Sequence, residues 1–104
     1  MAFADNLKTL PSIAHIKALH LIDASGAEVA QIPNQPGKAG SVSIYHALAA
    51  KHGVINVAAA EEGLLLYAEH TADARAHPGS HPNIDRLLAV IASGQTYTVR
   101  IEPA

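Results

Sequence analysis

Between Ile16 and Asp23 the chain is apolar on both alternating faces, and the run is long enough for a strand buried on two sides. A second strand-like run follows at Glu28-Val29-Ala30-Gln31-Ile32-Pro33. The break between them, Ala24-Ser25-Gly26-Ala27, holds a glycine that can take positive φ, so the two runs predict a β-hairpin. Near the end of the chain Ile84, Leu87, Leu88 and Ile91 fall at helical spacing, with Pro82 near the start and Gly94 just past the end. The segment Gln95–Ile101 then alternates, with Tyr97, Val99 and Ile101 facing inward, which predicts a half-buried strand.

Helices fill the rest. Phe3 to Leu10 predicts a short helix stopped by Pro11. After the breaker-rich loop Asn34–Gly40, Ser41 is suited to cap a helix running to about His52, with Gly53 as its stop. A longer helix is expected from about Val57 to Ala76, with Val57, Ala60, Leu64, Ala68 and Thr71 as its buried stripe. His77-Pro78-Gly79 ends it. The doubly apolar first strand belongs at the sheet centre, flanked by its hairpin partner and the terminal strand. The expected fold is α+β: a small three-stranded, antiparallel-type sheet packed on about three helices, one domain over residues 1–104.

Composition narrows the function. The chain has no cysteine, which removes disulfides, thiolate nucleophiles and cysteine-bound metal centres together. Its first residues lack the basic and apolar regions of a secretory signal, and no apolar run approaches a membrane span, so a cytoplasmic protein is expected. Seven lysines and arginines are scattered over a chain of net charge −2, leaving no basic stripe for nucleic acid. Seven histidines are the one unusual count: protonating all of them takes the formal charge from −2 to +5.

Two stretches carry candidate chemistry. Glu69, His70, Asp73 and His77 fall on one side of the expected long helix, and His81 lies just beyond its end. Imidazole and carboxylate at such spacing can converge on a divalent transition metal and activate water. A solvated polar face is the stronger reading of the same stripe, because neither H-E-x-x-H nor E-x-x-H occurs. The second stretch is Gly37, Lys38, Gly40 and Ser41 at a helix start. There, turned backbone amides, the helix dipole and a lysine charge can hold an anion or nucleotide, although this is no Walker A loop. Turn and cap are the plainer reading.

The other polar residues have structural explanations. His20, among apolar neighbours, is expected to be a hydrogen-bonded, half-buried sheet residue. His52 meets the negative end of its helix. His15 and His46 are expected to be exposed. Arg75 falls on the apolar side of the long helix, where a buried guanidinium needs Asp85 or Glu61 as its carboxylate. No G-x-S-x-G elbow accompanies the serines, so a triad hydrolase has no support.

Asp23-Ala24-Ser25-Gly26 through Ile32-Pro33-Asn34 and the Pro36-Gly37-Lys38 loop bear a family likeness. So, above all, do Ala68-Glu69-His70-Thr71-Ala72-Asp73-Ala74-Arg75 and His81-Pro82-Asn83-Ile84-Asp85-Arg86-Leu87. Together these segments resemble a family of short bacterial proteins catalogued as a domain of unknown function. The resemblance covers most of the chain and implies a free-standing bacterial cytoplasmic protein; it assigns no activity. The leading expectation is a non-catalytic protein-binding or regulatory module that also self-associates through a free strand edge. The alternatives are a metal-binding protein or small metal-dependent enzyme at Glu69–His81, and an anion or nucleotide sensor at Gly37–Ser41.

Overall fold

The computed structural model describes residues 2–104. Strand β1 (Ile16–Ile22) occupies the centre of an antiparallel sheet, with β2 (Glu28–Pro33) on one side and β3 (Thr98–Pro103) on the other. Its apolar sequence accounts for that position: Ile16, Ala18, Leu19 and Leu21 are all buried. The hairpin turns on Asp23, whose carboxylate accepts the Ser25 and Ala27 amides, and on Gly26 at φ +89°. Leu19 pairs with Ile32 and Ile101, and Leu21 with Ala30 and Val99, so these residues share the face toward the helices. His20 pairs with Gln31 and Arg100 on the opposite face.

Helix α2 (Ala39–His52) packs on all three strands, α3 (Val57–Tyr67) packs on α2 and α5 (Pro82–Ser93) on α3, with Tyr45, Leu48, Ile84 and Leu87 in the shared core. Gly63 sets the spacing of this layer. A Cβ there would lie 2.7 Å from Leu87 Cδ1 and 2.9 Å from Leu48 Cδ1, so only glycine lets α3 approach both neighbours. Ile55 exchanges two backbone hydrogen bonds with Tyr97, tying the α2–α3 link to the approach to β3. The short α1 (Phe3–Leu7) packs on α2 and α3. None of the described helices is long and apolar enough to cross a membrane.

Five helices are present among the described residues rather than about three, mainly because the expected Val57–Ala76 helix is broken. It stops at Tyr67 and restarts as α4 (Glu69–Ala76) after Ala68, which takes φ 52° and ψ −118°. One bond across the corner and one from a distant part of the chain hold it. Thr71 Oγ1 donates to the Leu64 carbonyl (2.6 Å), and the Asn6 side-chain amide donates to the Leu66 carbonyl (3.0 Å). The buried set is therefore Ala59, Ala60, Gly63 and Tyr67, then Thr71 and Ala74 beyond the corner. The break also turns Arg75 out to solvent, and Asp85 accepts the Gly79 amide instead (2.9 Å). Ser41 is no cap: α2 starts at Ala39, and its N-cap position is Lys38, three residues before Ser41. Ile101 is 39% exposed because β3 is an edge strand.

Positive φ costs a non-glycine residue about 1–3 kcal/mol, while glycine loses about 0.5–1 kcal/mol more conformational freedom on folding. Ala68→Gly is accordingly expected to stabilise the protein by about 1 kcal/mol, read as a higher urea midpoint at unchanged slope.

Candidate functional site

The first turn of α2, the start of α5, the α3–α4 corner and α1 enclose a cleft of about 350 Å³. A recess of about 160 Å³ shares Gly37, Ser41, Tyr67 and His81 with it and adds Lys38 and Asn83. One wall is apolar and aromatic. The Phe3 ring stacks on Tyr67 at 5.9 Å and meets His70 edge-on at 4.6 Å; His70 in turn lies 5.6 Å from His81. Gly40 permits this, since a Cβ there would stand 2.7 Å from Phe3 Cζ. At the back, the Tyr67 hydroxyl donates to Ser41 Oγ (2.6 Å), and burial pushes the Tyr67 phenol well above the usual tyrosine range.

The other wall is electropositive. Helices α2 and α5 both begin at the recess, on Lys38 and His81, and neither of those residues caps its helix with a side-chain hydrogen bond. The first amides of a helix have no carbonyl of their own turn to bond, so the Gly40, Ser41 and Asn83 N–H groups are donors without an intrahelical partner. Two helix dipoles present their positive ends there, and Lys38 adds a full charge.

The two stretches singled out in the sequence thus form one place. Gly37, Gly40, Ser41, His70 and His81 line the cleft, with Lys38 in the recess. Asp73 stands one shell back: its Oδ2 holds His81 Nε2 at 2.6 Å, and its Oδ1 lies 3.3 Å from His77 Nδ1. The hydrogen bond from His81 holds the Asp73 carboxyl below its ordinary range. Glu69 turns away, accepting the Phe3 amide (2.8 Å) and so fastening α1 over the cleft. His77 is exposed beyond Asp73. Among the described residues no group of three or more His, Asp or Glu side chains is placed to hold a metal ion. Sequence reasoning missed Phe3, Leu7, Tyr67 and Ile84, which become cleft walls only when distant helices meet.

A second polar cluster lies on the sheet face away from the helices. His20, 7% exposed, has Nε2 at 2.7 Å from Glu102 Oε1; its Nδ1 stands 3.0 Å from Glu28 Oε1 but out of line for a hydrogen bond. Arg100 reaches Glu28 (3.3 Å) and Lys17 reaches Glu102 (3.6 Å). This ladder joins all three strands and neutralises itself, so it reads as structure. His52 pairs with Glu62 at 3.2 Å beside Lys51. His46 is half-buried rather than exposed, with its ring against the exposed His15.

Residues 3–101 match DUF2322, a family described as uncharacterized protein conserved in bacteria. No curated protein and no solved structure matches the chain significantly.

Proposed function

The chain belongs to the DUF2322 family, and we propose that it is a binding module for a small ligand with an anionic head and a short apolar or aromatic body. One observation carries this reading: two helices without side-chain caps begin at the same recess, beside Lys38 and against an apolar wall. Orphan amides and converging dipoles favour negative charge, and a phosphate or carboxylate oxygen would complete hydrogen bonds the fold leaves open. The cleft volume of about 350 Å³ falls at the small end of ligand sites, which suits a compact molecule. Phe3, Leu7 and Ile84 would cover its apolar part. Asp73, by holding His81, fixes a further donor or acceptor at the rim. The chemistry that follows from this geometry is recognition, so the module would act by reporting occupancy to a protein partner.

Thermal melts test it with inorganic phosphate and phenyl phosphate, against sodium chloride at matched ionic strength. A ligand that binds only the folded state at a hundred times its Kd stabilises by about 2.7 kcal/mol. Phosphate is expected to raise the melting temperature, phenyl phosphate to do so at lower concentration, and Lys38→Ala to weaken both about tenfold, as loss of one charge-assisted contact should. Lys51→Ala, remote from the cleft, should change neither. Melts that respond to both phosphates no more than to chloride would remove the proposal.

A further inference from the structure

Arg86, on the second turn of α5, is half-buried, and the ion pairs among the described residues leave it without a carboxylate. Its Nη1 donates to two neutral oxygens instead, Asn83 Oδ1 at 2.9 Å and the Tyr45 hydroxyl at 3.2 Å. Tyr45 is fully buried on α2 and fixes that arrangement. Its hydroxyl donates to the Asn83 carbonyl, and its ring centre lies 5.8 Å from the guanidinium carbon. The nearby carboxylates are engaged elsewhere, Asp73 by His81 and Asp85 by the Gly79 amide. A charge taken partly out of water without a counter-ion is costly, so an uncompensated one marks a place where another molecule can supply the opposite charge.

Asn83 carries this to the recess, which it lines. A guanidinium only donates, so the side-chain oxygen of Asn83 faces Arg86 and its Nδ2 is the opposite, open end. Nδ2 has no acceptor among the described residues and is not buried. Lys38, exposed in the same lining, also pairs with no carboxylate among them. We infer that the ligand's head is a phosphate monoester rather than a carboxylate, held by Lys38 and the Asn83 amide, with Arg86 behind Asn83 as the residue that positions it. The inference rests on the reading of the cleft as an anion site and narrows it. At neutral pH a phosphate monoester carries nearly two negative charges, which answers both cations, whereas a carboxylate carries one. Asn83 offers its donor only while Arg86 holds Oδ1. Without the guanidinium, the amide is free to turn its oxygen toward the anion.

Isothermal titration calorimetry at about pH 8 tests it with phenyl phosphate and benzoate, which share a ring and differ in charge. The wild type is expected to bind phenyl phosphate about tenfold more tightly than benzoate. Asn83→Asp replaces the open donor by an acceptor and pairs Arg86 with a carboxylate. It is expected to weaken phenyl phosphate about a hundredfold, as like charges in contact do. It should melt no lower than the wild type, because an acid in the first turn suits a helix. Arg86→Met is expected to weaken phenyl phosphate about tenfold and benzoate about threefold, since Coulomb attraction scales with the ligand's charge. A general loosening of the cleft would weaken both alike, and equal losses therefore overturn the inference. So does an Asn83→Asp variant that binds phenyl phosphate as the wild type does, or a wild type that binds benzoate as tightly as phenyl phosphate; each leaves the anion cleft standing. A wild type that binds neither overturns the cleft reading and this inference with it. Should Arg86→Met fail to fold, the Asn83→Asp result alone decides.

Discussion

Replacing Leu87 by alanine is expected to cost about 2–5 kcal/mol, the range for removing a buried leucine where the surroundings cannot fully collapse. Leu87 is fully buried on α5 and lies against the bare face of Gly63. In a domain of this size each kcal/mol corresponds to about 4–8 °C in melting temperature, so the variant should melt at least about 8 °C lower. Gly63→Ala attacks the same contact from the other side. Its new methyl would have to displace both Leu87 Cδ1 and Leu48 Cδ1. Overpacking of that kind costs about 1–3 kcal/mol, against about 1 kcal/mol gained in helix propensity. In the double variant the methyl enters the space Leu87 has vacated, and the combined loss should fall short of the sum by about 1 kcal/mol. Urea denaturation of the four proteins measures this. Additive losses would mean that Gly63 does not set the spacing between α3 and α5.

That contact could not be found from sequence, although the elements that make it could. A run apolar on both faces has one natural place in a small sheet, and β1 occupies it. The spacing of Ile84, Leu87 and Leu88 defined α5 together with its ends, and Gly94 takes the left-handed conformation expected past a helix terminus. The residues from Val57 to Ala76 are by contrast all compatible with one helix, and their local pattern holds no break. The corner at Ala68 depends on Asn6, which lies 60 residues from its acceptor, and on Glu69 reaching back to Phe3. Once the helix is broken, helical angles carried across the corner point the wrong way, which is why Arg75 is exposed and unpaired with Asp85.

The cleft follows the same logic. Both of its polar segments stood out locally, one by glycines and a lysine before a helix, the other by histidines and carboxylates around a helix end. Their convergence is a tertiary fact, and it changes their meaning: His70 and His81 line the shared cleft, while Asp73 holds His81 and Glu69 accepts the Phe3 amide of α1. Ser41, expected to cap α2, instead accepts the Tyr67 hydroxyl, and that leaves the helix start open.

As pH rises from about 6.5 into the alkaline range the protein is expected to lose stability through His20, and the loss should vanish in His20→Gln. The ring is hydrogen-bonded to Glu102 and flanked by Glu28, which together raise its proton affinity above the ordinary value of 6.5 despite its burial; Arg100 opposes them weakly. A histidine with a raised folded value stabilises fully below about pH 6.5, and that contribution disappears as pH rises through the folded value. The carboxylates run the other way. His20, hydrogen-bonded to Glu102 and with Nδ1 close to Glu28, is the main reason that both carboxyls lie below their ordinary 4.5, with Arg100 and Lys17 adding to it. Their contribution is therefore complete above that value and is lost as pH falls through the folded one. The ladder is strongest between those limits, with the imidazolium between two carboxylates. His46, which burial holds below its ordinary value, has the opposite slope to His20 and is present in both proteins, so the difference between their melting curves isolates His20. Melting temperatures across the range should show the wild type falling by several degrees relative to His20→Gln on the alkaline side. Parallel curves would mean that the ring holds no proton between the strands. The ladder would then be reduced to the exposed pairs of Arg100 with Glu28 and Lys17 with Glu102.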